Sequence, residues 1–106
     1  MSTVHMPAAQ EATAFLKALA HETRLMILCQ LIGAELTVGE MEAAMGLSQS
    51  VVSVQLMRLR AEGLVAARRE GRHVIYRLER PEVIAVITAL QATFCAPGER
   101  LVPPSN

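Results

Sequence analysis

Apolar positions recur along the chain at two different periods, and each period implies a type of element. Between Glu11 and Ala20, Ala12, Phe15, Leu16 and Leu19 share one helical stripe. Between His21 and Ile32, Leu25, Leu28, Cys29 and Ile32 recur at i, i+3, i+4 and i+7, which predicts a second helix with these four on its buried face. Gly33 stops that helix. Thr37 with Glu40 three residues later is a capping-box pattern. The short helix it opens carries Val38, Met41, Ala44 and Met45 and halts at Gly46. Ser48 then caps a longer helix that runs to about Glu62. Two helices joined through a short glycine-containing turn make a helix-turn-helix.

Beyond Gly63 the period shortens to two. Leu64 to Arg69 reads as a strand, Glu70-Gly71-Arg72 as a turn, and His73 to Leu78 as a returning strand with Val74, Tyr76 and Leu78 on one side. Pro81 opens a last helix through about Cys95, in which Val83, Ile84, Val86, Ile87, Leu90 and Phe94 cover more than one stripe. A helix apolar most of the way round has to be buried, and at the end of a small domain a second copy of the chain is the simplest cover. The predicted fold is mainly α with a small β-hairpin: four helices, two strands and a final helix, a winged helix-turn-helix in a homodimer. Residues 11–95 form this domain, with flexible tails over residues 1–10 and 96–106.

Composition narrows the class. The 106 residues are 52% apolar, with a mean hydropathy of +0.33, enough for one core in one domain. No apolar run reaches the roughly 18 uncharged residues of a membrane span, and the first residues lack a signal-peptide pattern, so a cytoplasmic protein without membrane contact is expected. Two cysteines do not make a disulfide framework. No Gly-rich phosphate loop, paired-carboxylate motif or positioned base accompanies them, so neither an enzyme nor a cofactor is expected.

Net charge is zero, but its distribution is uneven. Between Leu47 and Arg80 seven arginines stand against three glutamates, while the rest of the chain is acidic by the same margin of four. An acidic body with one basic face is the electrostatic footprint of double-stranded DNA as a partner. On the helix after Ser48, Val52, Leu56 and Leu59 fall on a packing side, and Gln49, Ser50, Ser53, Val54 and Met57 on the other. Gln49, Ser50, Ser53 and Val54 occupy the first turns, the end of a recognition helix that meets base edges in the major groove. Gln bonds adenine in a bidentate way, Ser donates or accepts, and Val54 suits a thymine methyl. Arg58 and Arg60 are placed for phosphates or for surface pairing. The hairpin tip, with Arg68, Arg69, Arg72 and His73, is predicted to reach the backbone or the neighbouring minor groove. A winged helix that binds proteins instead is the other class, and salt dependence separates the two.

These residues resemble the ArsR family of bacterial transcriptional repressors. The match runs through Phe15-Leu16-Lys17-Ala18-Leu19-Ala20-His21, Arg24-Leu25, Ile27-Leu28, Leu47-Ser48-Gln49-Ser50, Val52-Ser53 and Leu56. It continues through Leu59-Arg60, Gly63-Leu64-Val65, Arg68, Gly71 and Ile75-Tyr76-Arg77-Leu78, so that it spans roughly residues 11 to 95. The resemblance implies a symmetric dimer joined through the first and last helices, seated on a palindromic operator until an inducer releases it. Gln49, Ser50, Ser53 and Val54 match the family's base-reading positions. Val54 is apolar where many members carry His or Gln, which bears on the operator sequence.

Many members sense metals, and the matching positions here lack the ligands. The family's thiolate motif would lie in Leu36-Thr37-Val38-Gly39-Glu40, which has no Cys, and its carboxylate–imidazole site on the last helix finds only Glu82. His5, His21 and His73 have no ligand spacing and read as surface or capping residues, so no metal site is expected. Cys29 and Cys95 remain. Met26-Ile27-Leu28-Cys29 and the terminal Phe94-Cys95 resemble the persulfide-responsive subgroup of the family. That resemblance implies a dithiol switch in which reactive sulfur species, as inducer, close a polysulfide bridge between the two. A plain disulfide switch, a thiol-bound arsenic or other metalloid, and two core cysteines without chemistry are the alternatives.

Overall fold

The computed structural model describes residues 6–99. The expectations for His5 and for the outer parts of both tails lie outside the described residues. Helices α1 (Met6–Leu19), α2 (Glu22–Gln30), α3 (Val38–Met45), α4 (Gln49–Ala61) and α5 (Glu82–Phe94) surround a sheet of β1 (Leu36–Thr37), β2 (Val65–Glu70) and β3 (His73–Leu78). This is a winged helix-turn-helix. No described helix is long and apolar enough to cross a membrane.

Local chemistry sets most boundaries. The Thr37 hydroxyl accepts the Glu40 N–H at 3.2 Å and the Glu40 carboxylate accepts the Thr37 N–H at 2.8 Å, so the capping box that opens α3 is complete. Gly46 ends α3 at φ 67°, a left-handed conformation that glycine adopts without steric cost. His21 caps α2 through its ring nitrogen, which accepts the Arg24 N–H at 3.5 Å.

Helix α1 starts at Met6, so Met6–Gln10, read from sequence as tail, is helical. Pro7 lies in the first turn, where no N–H is needed, and the alanines after it are strong helix formers. The sheet holds three strands instead of two, in the order β1-β3-β2. Leu36 pairs with Tyr76 and Thr37 with Ile75, so the two residues leading into α3 cover the middle of the outer edge of β3.

The core is built from Ile27, Leu28 and Leu31 at α2, Met41 on α3, Val52, Leu56 and Leu59 on α4, Leu64 and Val65, and Val83 and Ile87 on α5. The α4 packing side is the predicted one, and all three of its residues are fully buried. On α2 the buried face is displaced: Leu25, Cys29 and Ile32 are only half-buried, and Ile27 with Leu31 takes the centre. Helix α2 packs against α1, α3 and α4, so more of its circumference is covered than one stripe.

Candidate nucleic-acid interface

The helix-turn-helix leaves one end of α4 open. The Ser48 hydroxyl accepts the Val51 N–H at 3.4 Å and lies 3.2 Å from the Ser50 hydroxyl, which fixes the first turn. Gln49, Ser50 and Val54 are exposed there, and Ser53 is half-buried beside them. The structure brings all four predicted base-reading residues onto the outward side of one helix end, opposite Val52, Leu56 and Leu59.

Arg24 ties α4 to the end of α1. Its guanidinium donates to the Ala18 carbonyl at 2.7 Å, to the Lys17 carbonyl at 3.3 Å and to the Gln55 side-chain oxygen at 2.9 Å. Lys17 and Ala18 lie in the last turn of α1, where a cation is favourable; the Lys17 carbonyl also accepts the Ala20 N–H at 3.3 Å. One residue of α2 thus closes α1 and holds the middle of α4. Sequence reasoning missed this contact because its partners are up to 31 positions apart.

The hairpin β2–β3 is the wing. Glu70 pairs with His73 across the two-residue turn Gly71-Arg72. Only Gly71 has a positive φ, 62°, which is the pattern of a type II′ turn. Arg69, Arg72 and His73 are exposed at this tip. Arg68 behaves differently from Arg69 and Arg72. It is ion-paired with Glu35 and lies 3.3 Å from Glu70. The hydrogen bond it donates to the Glu35 carboxylate, reinforced by Glu70, holds its pKa above the usual arginine value. Its charge is matched inside the chain, and it clamps the wing to the segment before β1. Among the described residues, Arg58, Arg60, Arg69 and Arg72 have no carboxylate within ion-pair distance.

The two cysteines close two different helices. Cys29 lies in the last turn of α2, half-buried against the core. Cys95 is the C-cap of α5, also half-buried, and its N–H donates to the Gln91 carbonyl at 3.0 Å. Both are thiols in this structure. Among the described residues no three His, Cys, Asp or Glu side chains gather as a metal site.

Large apolar side chains are also exposed on α1 and on α5. Met6, Leu16, Ile84 and Phe94 are largely open. Arg80, between β3 and α5, stacks over the Phe15 ring at 5.1 Å, lies 3.7 Å from Glu11 and donates to Glu82 at 2.7 Å. It fastens the start of α5 to α1, and its hydrogen bond holds the Glu82 carboxyl below its usual pKa.

Residues 21–67 match the model of a bacterial regulatory protein family, arsR. The chain is 45% identical over 93 residues to the biofilm growth-associated repressor of Agrobacterium fabrum (strain C58), covering 88% of this chain and 80% of that protein. Reduced HlyU from Vibrio cholerae N16961 superposes with a TM-score of 0.80 at 43% identity, over 86% of this chain and 96% of that one. The homodimeric winged helix-turn-helix DNA-binding domain of Mb0332 from Mycobacterium bovis superposes with a TM-score of 0.72 at 31% identity, over 88% and 86%.

Proposed function

The chain belongs to the arsR family of bacterial regulatory proteins and is a DNA-binding transcriptional regulator, not an enzyme; from that premise we propose that it represses from a palindromic operator as a homodimer until Cys29 and Cys95 react with a persulfide. The observation that carries the DNA half is the open end of α4. Gln49, Ser50, Ser53 and Val54 face outward there, beside a wing whose Arg69, Arg72 and His73 are exposed. Base edges are read by the first group and phosphates or the minor groove by the second. Arg68 supports the wing through Glu35. Repression follows the Agrobacterium relative, which is a repressor. Dimerisation through α1 and α5 accounts for the apolar residues those helices leave open, and the Mycobacterium domain is a homodimer.

The thiol half rests on where the cysteines sit. Cys29 belongs to α2, which packs against α4 and holds it through Arg24, and Cys95 ends α5 in the proposed dimer face. A covalent tie between them links the element behind the reading helix to the element between subunits. The chemistry balances with two persulfides. One transfers its outer sulfur to a cysteine thiolate and leaves as a thiol. The second accepts the two electrons released as the cysteine persulfide and the other thiol join, and departs as thiol and hydrogen sulfide. The product is a trisulfide. A plain disulfide needs Cα atoms within about 7 Å, whereas added sulfur lengthens the reach, so a wider separation selects sulfur insertion over simple oxidation.

Intact-mass spectrometry of the reduced protein, treated anaerobically with a persulfide donor and separately with peroxide, tests this while operator release is followed in the same samples. The expected result is a mass gain of added sulfur less the two thiol hydrogens, loss of both thiols and DNA release with the donor, and little response to peroxide. Cys29→Ser and Cys95→Ser are each expected to bind DNA and to ignore the donor. Release of Cys29→Ser by the donor contradicts the dithiol reading. A disulfide formed equally by both reagents makes the protein a general thiol-redox regulator.

A further inference from the structure

Helix α4 carries a feature beyond its base-reading end. At roughly 100° per residue, Ser50, Val54, Met57 and Ala61 fall in one line directly opposite the buried Val52, Leu56 and Leu59. That line is the outermost crest of the helix, and past Ser50 it is wholly apolar. Val54 is 47% exposed and Met57 71%. Arg58 and Arg60, two positions apart, stand on opposite flanks of the crest, both exposed. Neither has a carboxylate within ion-pair distance among the described residues.

We propose that Val54 and Met57 form an apolar ridge that reads thymine 5-methyl groups in the operator half-site, with Arg58 and Arg60 holding the phosphates on the two walls of the groove. The inference rests on the DNA-binding reading above and deepens it. An apolar crest between two unmatched cations is complementary to a groove whose walls are anionic and whose floor is partly apolar. The major groove, about 12 Å wide, admits one α-helix, and the thymine methyl is the apolar group that base edges present there. The ridge also excludes. Valine and methionine offer no partner to a cytosine amino group or a guanine carbonyl, so G·C pairs beneath them lose hydration without replacement. Polar side chains at these two positions would read by hydrogen bonds, whereas this pair reads by methyl contact and rejection.

The test begins with selection of binding duplexes from a random pool by the full-length protein. Each thymine of the selected operator is then replaced by deoxyuridine, which keeps the base pair and removes only the methyl group. At two neighbouring positions in each half-site, binding is expected to weaken about three- to fivefold per methyl, the loss expected for one buried methyl-sized group. The Val54→Ala/Met57→Ala variant, altered only at exposed positions, is expected to bind the all-thymine operator more weakly and to be indifferent to uracil there. Arg58→Gln instead weakens all duplexes alike and keeps the uracil effect. Uracil that is neutral at every position, or that weakens the variant as much as the wild type, overturns the ridge while leaving DNA binding intact. No enrichment of any duplex over competitor DNA overturns the DNA-binding reading itself, and the ridge with it.

Discussion

Helices α4 and α5 are each thirteen residues long, each sends one stripe into the core, and each leaves large apolar side chains open. They differ in what stands beside those side chains. The crest of α4 is flanked by Arg58 and Arg60, and the Arg69 and Arg72 of the wing belong to the same basic stretch. The face of α5 has one charged residue, Glu82, already paired with Arg80, and its Thr88 and Thr93 hydroxyls donate back to the Ile84 and Ala89 carbonyls of their own helix. An apolar surface framed by unmatched cations suits a polyanion, and one with its polar groups internally satisfied suits another apolar surface. Similar exposure therefore supports two partners, DNA for α4 and a second copy of the chain for α5 with α1.

The comparison breaks most severely if a charge is placed in the second surface. Leu16→Glu, at an exposed position of α1, is expected to give a monomer in sedimentation and to lower operator affinity on the order of a hundredfold, as two linked half-sites become two separate ones. A variant that stays dimeric with full affinity assigns that face to something else. Next in size is the clamp between the two surfaces. Arg24→Ala leaves the Ala18 carbonyl and the Gln55 oxygen without this donor and the Lys17 carbonyl with the Ala20 N–H alone, and a loss of about 1–3 kcal/mol in urea unfolding is expected. Gln55→Leu, which removes one of the three bonds, is expected to cost less, and equal costs would show that the bonds to α1 contribute nothing.

Smaller effects separate base reading from phosphate holding on α4. Gln49→Ala is expected to cost about 1–3 kcal/mol on the preferred operator and little on unrelated DNA, with an unchanged salt slope. The smallest effect concerns α5 alone. The Arg80 hydrogen bond lowers the Glu82 pKa in the folded state, so its contribution to stability is present above the unfolded value of about 4.3 and disappears as pH falls through the lower folded value. Wild type is thus expected to melt slightly above Glu82→Gln at neutral pH and together with it in strong acid, and a constant difference at all pH values contradicts that origin.

What the sequence made legible is local. The Thr37–Glu40 capping box, the His21 cap, the Gly46 stop, the Gly71 turn and the Val52-Leu56-Leu59 stripe each depend on residues a few positions apart. What it concealed depends on distance. Strand β1 is two residues that become strand only because Ile75 and Tyr76 pair with them. Arg68 reads like its neighbour Arg69 until Glu35, 33 positions away, closes on it. The clamp from Arg24 to Gln55 is hidden for the same reason. The α2 stripe was misplaced because a helix packed on three neighbours has no single buried face to announce.

The most direct measurement is operator affinity across a salt series, with the number of chains per duplex counted in the same samples. If Arg58, Arg60, Arg69 and Arg72 of each of two chains meet phosphates, log affinity falls against log salt with a slope of about −7, at two chains per operator. A slope near zero, or one chain per duplex at saturation, contradicts the account.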